Sequence, residues 1–151
     1  MKNKLVIVTG ASSGIGRACA EKFAQEGANL VLAARSADKL SEVAENIARY
    51  GVQVLLVVTD VSKEEDCKNL VEKALIKFGK IDVLVNNAGI SMRAVFADLD
   101  VSVLKKVMDV NFWGTVYCTR YALASLLENK GSVVGVSSIA GYKGLPGRTG
   151  Y

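Results

Sequence analysis

Along the whole chain, short apolar runs alternate with stretches of helical period. Leu5 to Val8 reads as a strand buried on both faces. After a Gly/Ser turn, Ile15, Cys19 and Phe23 form one helical stripe, and Gly27 stops it. Leu30 to Ala34 is the second strand. Leu40, Val43, Ala44 and Ile47 mark a second helix that ends at Gly51, and Val54 to Val58 is the third strand. Ser62 and Glu65 have the spacing of a capping box. The third helix follows, with Cys67, Val71, Ala74 and Phe78 inward and Gly79 as its stop. Val83 to Val85 is the fourth strand. Two helical segments come next, split near Asn111, the second carrying Phe112, Val116, Thr119 and Leu123. Val133 to Val136 is the fifth strand. This alternation predicts an α/β fold: a doubly wound, Rossmann-type parallel sheet of order 3-2-1-4-5, with helices on both faces. Ligands of such sheets bind beyond the carboxyl ends of the strands, so the informative residues follow each strand.

Composition narrows this little. The chain has 151 residues, half of them hydrophobic, which suits a single domain with a sizeable core. The net charge of +4 is not gathered into a basic run, so no nucleic-acid partner is expected. There is no histidine. That excludes a histidine-based triad and argues against a metal site. Three widely spaced cysteines read as reduced thiols of a cytoplasmic protein. No run is long and apolar enough for a membrane span.

The turn after the first strand, Thr9-Gly10-Ala11-Ser12-Ser13-Gly14-Ile15-Gly16, carries the first chemistry. A dinucleotide pyrophosphate approaches backbone N–H groups at a helix N-terminus, and side chains there would obstruct it. The spacing differs from the commoner G-x-G-x-x-G fingerprint. It resembles the glycine motif of the short-chain dehydrogenases/reductases. Asn86-Asn87-Ala88-Gly89 is similar to that family's NNAG, Asn111 to its helix-breaking Asn, and Ser138 with Tyr151 to its Ser…Tyr pair. The motifs fall in the family's order over the whole chain.

The end of the second strand bears on the cofactor. A carboxylate there would select NAD through the ribose hydroxyls. This chain has Ala34, Arg35 and Ser36 instead. Arg35 is suited to pair with a 2′-phosphate, with Ser36 as a second donor, so NADP(H) is expected over NAD(H). The missing acid also argues against a nucleotide-fold methyltransferase. By resemblance, Asp60 and Val61 meet the adenine. Gly10, Ser12, Ser13, Gly14, Ile15 and Gly16 surround the pyrophosphate, and Asn87, Ala88 and Gly89 run along the nicotinamide-side ribose.

The resemblance also implies hydride transfer between NADP(H) and a carbonyl or alcohol. Tyr151 is then the acid/base, Ser138 holds the substrate oxygen, and Asn111 orders a water. A free phenol is only about 0.1% ionised at neutral pH. The family supplies a Lys four residues after its Tyr, and this chain ends at Tyr151. Two expectations follow. Residues 1–151 are the NADP(H)-binding N-terminal part of a longer one-domain reductase, or they are a catalytically silent NADP(H)-binding remnant. The first is preferred, because the fifth strand would otherwise be a raw edge, and Phe112, Trp113, Val116, Tyr117 and Tyr121 would lack cover. The resemblance further implies a homodimer or homotetramer. The substrate is silent beyond a hint of apolar character around Phe96, Ile139, Tyr142 and Leu145, and a cation at Arg93 that would suit an acidic compound.

Overall fold

The computed structural model describes residues 1–148 and 150–151. Its parallel sheet contains β1 (Leu5–Thr9), β2 (Asn29–Ala34), β3 (Val54–Val58), β4 (Val83–Asn86) and β5 (Ser132–Gly135), in the order β3-β2-β1-β4-β5. Crossovers run through α1 (Gly14–Gln25), α2 (Ala37–Ala48), α3 (Glu64–Phe78), α4 (Val101–Met108) and α5 (Gly114–Glu128). Every β1 residue is buried, as expected of a central strand covered on both faces. Alternate residues feed two cores. Leu5, Ile7, Val31 and Leu84 pack towards α3 and α5, whereas Val6, Val8, Leu30 and Leu32 pack towards α1 and α2.

Gly27, Gly51 and Gly79 follow their helices at positive φ, the left-handed geometry that ends a helix and favours glycine. Two helices turn a different face inward from the one their largest apolar residues suggest. In α1, Ile15 is 62% exposed, and Gly16, Ala20 and Ala24 meet the sheet. Leu123 of α5 and Phe112 just before it are about half exposed, and α5 buries a stripe of Gly114, Cys118, Ala122 and Leu126. Small side chains let these helices sit close to their neighbours. A Cβ on Gly114 would lie 2.8 Å from Val61 Cγ2.

The expected capping box does not form. Lys63 is the residue preceding α3, with no side-chain cap, and Ser62 instead gives both its N–H and its hydroxyl to Asp60 Oδ1. Nor do α4 and α5 break apart. A π turn, Asp109–Trp113, joins them directly. The cysteines are free. Cys67 and Cys118 are buried between α3 and α5, where a hydrogen bond with Cys67 and burial push the Cys118 thiol far above its usual range. Among the described residues no helix is long and apolar enough to cross a membrane.

At the amino edge of the sheet, Asp82 is buried and accepts from Lys4 Nζ at 2.7 Å and from the Leu5 N–H at 2.8 Å, with Lys80 Nζ 3.0 Å away. β5 is exposed along its whole length.

Candidate functional site

At the opposite, carboxyl edge, the turns after all five strands open into one cleft of about 890 Å³. It lies at the switch point, where the connections from β1 and β4 diverge. Its frame is a polar clamp. Thr9 is buried at the end of β1, and its Oγ1 accepts from the N–H groups of Asn87 (3.0 Å) and Ala88 (3.1 Å) while donating to the Val85 carbonyl. Asn87 Nδ2 returns the connection by donating to the carbonyls of Thr9 (3.0 Å) and Gly10 (3.3 Å). The two turns are therefore one unit.

The glycines of that unit have separate roles. Gly10, at φ +65°, comes so near Asn87 and Ala88 that a Cβ would lie 2.8 Å from Asn87 Nδ2. Gly16 does not line the cleft. Any side chain there would strike the Gly10 carbonyl and Asn87 Nδ2, so Gly16 seats α1 on the turn. Gly14 does not line it either. It sits at φ +53° with open space where its Cβ would be, and its demand is on the backbone. Ser12, Ser13 and Ile15 do line the cleft. Ser13 precedes α1 in an extended conformation, and its hydroxyl makes no cap bond. Among the described residues, the first N–H groups of α1 thus have no side-chain acceptor, the arrangement that suits an anion.

At the end of β2, Ala34, Arg35 and Ser36 line the same wall. Ser36 also caps α2, accepting from the Lys39 N–H at 3.4 Å. Lys39 lines the cleft too and was missed from sequence, although it stands four residues beyond Arg35 on the opening turn of α2. Asp60 and Val61 face them from the end of β3. Partial burial raises the pKa of Asp60. Hydrogen bonds from the Ser62 hydroxyl and N–H, with the charges of Arg35 and Lys63, outweigh it and hold the carboxyl below its usual value.

Across the cleft, Asn87, Ala88 and Gly89 run past Asn111. The Asn111 amide is locked at both ends on one residue. Its Oδ1 accepts from the Ile90 N–H at 2.8 Å, and its Nδ2 donates to the Ile90 carbonyl at 2.9 Å. Thr115 Oγ1 takes up the Asn111 carbonyl at 3.2 Å, one of the acceptors displaced by the π turn. Asn86 Nδ2 donates to Thr119 Oγ1, and Asn86 Oδ1 is buried without a partner among the described residues.

Ser138 and Tyr151 complete the wall beside β5. Ser138 Oγ accepts from the Ala140 N–H and opens a short 3-10 turn, Ile139–Gly141. The segment returns towards the loop after β4, where the Ala94 N–H donates to the Gly147 carbonyl at 2.9 Å. Arg148 donates to Ser91 Oγ, and its guanidinium stands over the Tyr151 ring, 5.7 Å from the centroid. Arg148 did not stand out in the sequence, and Thr9 did so only as the first residue of the glycine turn. Among the described residues, no group of three or more His, Cys, Asp and Glu could hold a metal ion.

Comparison with known proteins gives this geometry a family. The sequence matches the short chain dehydrogenase family over residues 4–151. The 11-beta-hydroxysteroid dehydrogenase-like 4A of Arabidopsis thaliana is 42% identical over 148 residues, covering 97% of this chain and 50% of the relative. The 11-beta-hydroxysteroid dehydrogenase A of Sesamum indicum is 44% identical over 145 residues, or 95% of this chain and 42% of the relative. This chain thus spans half or less of these relatives. Among solved structures, an alcohol dehydrogenase from the archaeon Thermococcus sibiricus complexed with 5-hydroxy-NADP superposes with a TM-score of 0.95 at 34% identity, covering 98% of this chain and 63% of that one. Because the match runs through the sheet and every turn that forms the cleft, this chain belongs to the short-chain dehydrogenase family.

Proposed function

We propose that residues 1–151 form the cofactor-binding part of a longer NADP(H)-dependent oxidoreductase acting on a carbonyl or alcohol. One observation carries the cofactor reading. An uncapped α1 N-terminus and the cations Arg35 and Lys39 line one cleft, with no carboxylate at the end of β2. A pyrophosphate suits the first site, and a 2′-phosphate suits the second. The Thermococcus sibiricus structure, with its 5-hydroxy-NADP, supports the same choice.

The chain's own groups divide the work. Ser12, Ser13 and the α1 backbone hold the diphosphate, aided by Gly10. Arg35 and Ser36 hold the 2′-phosphate, and Asp60 and Val61 flank the adenine. Asn87, Ala88 and Gly89 orient the nicotinamide side. When bound, the nicotinamide supplies the hydride chemistry. Ser138 keeps its hydroxyl proton available to a substrate oxygen, since Oγ serves Ala140 only as an acceptor. Tyr151 Oη gives or takes the proton. Asn111 keeps the π turn open and its carbonyl near the cleft. Phe112 and Trp113, half exposed beside Tyr117 in an aromatic stack, form the surface we assign to self-assembly as a homodimer or homotetramer.

Calorimetry on the full-length protein tests the cofactor. NADPH is expected to bind about ten- to a hundredfold more tightly than NADH, the value of one charge-assisted hydrogen bond. Arg35→Ala should erase that margin. Equal affinities in the unaltered protein would overturn the preference.

A further inference from the structure

The cleft has two electrostatically different ends. Asp60 is the one carboxylate among its described lining residues, and it lies at the nucleotide end, close enough to feel the charge of Arg35. No carboxylate lines the end near Ser138 and Tyr151. Two arginines stand beside that end without lining it. Arg148 is half-buried, and it rests on Ser91 and the Tyr151 ring, which both line the cleft. Arg93, exposed on the loop after β4, lies next to the segment that carries Arg148. A Cβ on Gly147 would lie 3.7 Å from Arg93 Cγ, so its stem runs alongside the residue before Arg148. Neither guanidinium is paired with a carboxylate among the described residues.

The same two loops expose apolar side chains. Phe96 is 64% exposed, Ile139 is 68% exposed, and Tyr142 is almost wholly exposed. Cations and large apolar groups on the two loops that flank this end of the cleft match a ligand that has both characters. Arg148 is the better placed cation. Ser91 occupies one N–H, and the planar fork keeps further donors for a carboxylate. Its position over the Tyr151 ring puts such a carboxylate a short spacer away from the group that would serve as acid/base.

We propose that the substrate is an apolar carbonyl or alcohol compound bearing a carboxylate, which Arg148 binds and Arg93 attracts. This rests on the oxidoreductase reading above and names its substrate class. It makes Arg148 a specificity-determining residue.

The test uses the full-length protein with NADPH and three probes: benzoylpropionic acid, its methyl ester, and butyrophenone. The acid is expected to exceed the ester in kcat/KM by about ten- to a hundredfold, mainly through KM. Calorimetric binding of the acid to the NADP-saturated protein should show the same margin. Raising the salt concentration should shrink it. In Arg148→Met the acid should lose far more than the ester, bringing the two close together. Arg93→Met should lower the margin less, and it gives an independent reading should the Arg148 variant fail to fold. Equal handling of acid and ester by the unaltered protein would overturn the inference and leave the oxidoreductase reading standing. So would an Arg148→Met variant that lost both equally, since Arg148 would then only tie the loops together. If none of the three compounds is reduced and the acid does not bind the NADP-saturated protein, the inference fails; a protein that binds neither NADPH nor NADH would instead overturn the oxidoreductase reading.

Discussion

The turns after β1 and β5 deliver residues to one cleft, but they are held in opposite ways. The first is interlocked with the turn after β4 through Thr9 and Asn87, and its Ala11 N–H is tied to the Ala33 carbonyl of β2. The second leaves an exposed strand and carries a side-chain cap on Ser138, a backbone bond between Ala94 and Gly147, and the Arg148–Ser91 contact. The turn after β1 is therefore fixed against both β2 and the turn after β4, whereas the turn after β5 is held by fewer bonds to one neighbouring loop. Binding and turnover should thus separate under mutation.

The largest separation is expected at Tyr151. In the full-length protein, Tyr151→Phe should keep cofactor affinity and lose about 10²–10⁴-fold in turnover, the usual worth of a positioned acid/base. NADPH oxidation and calorimetry on the same sample check both halves. Normal turnover would remove Tyr151 from the mechanism.

Thr9→Val comes next and should act in the other direction. It strips the acceptor from the Asn87 and Ala88 N–H groups, each costing about 1–3 kcal/mol when left buried and unpaired. Urea unfolding should show the loss, and cofactor affinity should fall with it. Ser138→Ala, in the exposed turn, should change stability by about 1 kcal/mol or less. Comparable losses from the two variants would erase the contrast between the turns.

Two glycines refine the comparison. Gly16→Ala forces a methyl against the Gly10 carbonyl and Asn87, an overpacking cost of about 1–3 kcal/mol with a damaged anion site. Gly14→Ala meets no atom, and its cost is the positive φ alone, about 1 kcal/mol. Denaturation midpoints and NADPH titrations of both variants should rank them in that order.

The smallest effect is expected at acid pH. Burial raises the pKa of Asp82, but Lys4, the Leu5 N–H and Lys80 outweigh it, so the folded carboxyl titrates below its usual value. A depressed folded pKa contributes stability above the unfolded value of about 4. That contribution disappears as pH falls through the folded pKa. The urea midpoint should therefore drop below about pH 4, and Asp82→Asn should lose that part of the slope. An unchanged slope would show that other carboxylates dominate.

Much of this architecture was legible from residue order. The strands, the 3-2-1-4-5 sheet and the helix-ending glycines follow from hydrophobic period and turn chemistry, and they agree with the structure. The inward faces of α1 and α5 did not. Hydropathy favours the largest apolar residues, whereas close approach favours Gly16, Ala20 and Ala24, or Gly114, Cys118 and Ala122. The capping box failed because Lys63, not Ser62, precedes α3, and Ser62 is drawn back to Asp60, to which it donates its N–H and hydroxyl. In the cleft, Arg35 and Ser36 could be named because they follow the second strand, and Asp60, Asn111, Ser138 and Tyr151 because they match motifs of the family that the sequence resembles. The Thr9–Asn87 clamp could not, since its partners lie 78 residues apart and a buried threonine at a strand end carries no signal of its own.

The π turn at Asp109–Trp113 sets the phase of everything after it. One residue turns an α-helix by about 100°. Winding positions 109–113 as ordinary α turns, with no residue removed, would carry the chain further round by nearly that angle. The whole of α5 would swing with it. Gly114 would leave Val61, a bulkier neighbour would arrive in its place, and the face of Cys118 and Ala122 would turn from α3. The extra residue and the wide turn thus compensate each other: the turn absorbs the residue, and α5 keeps its face on α3.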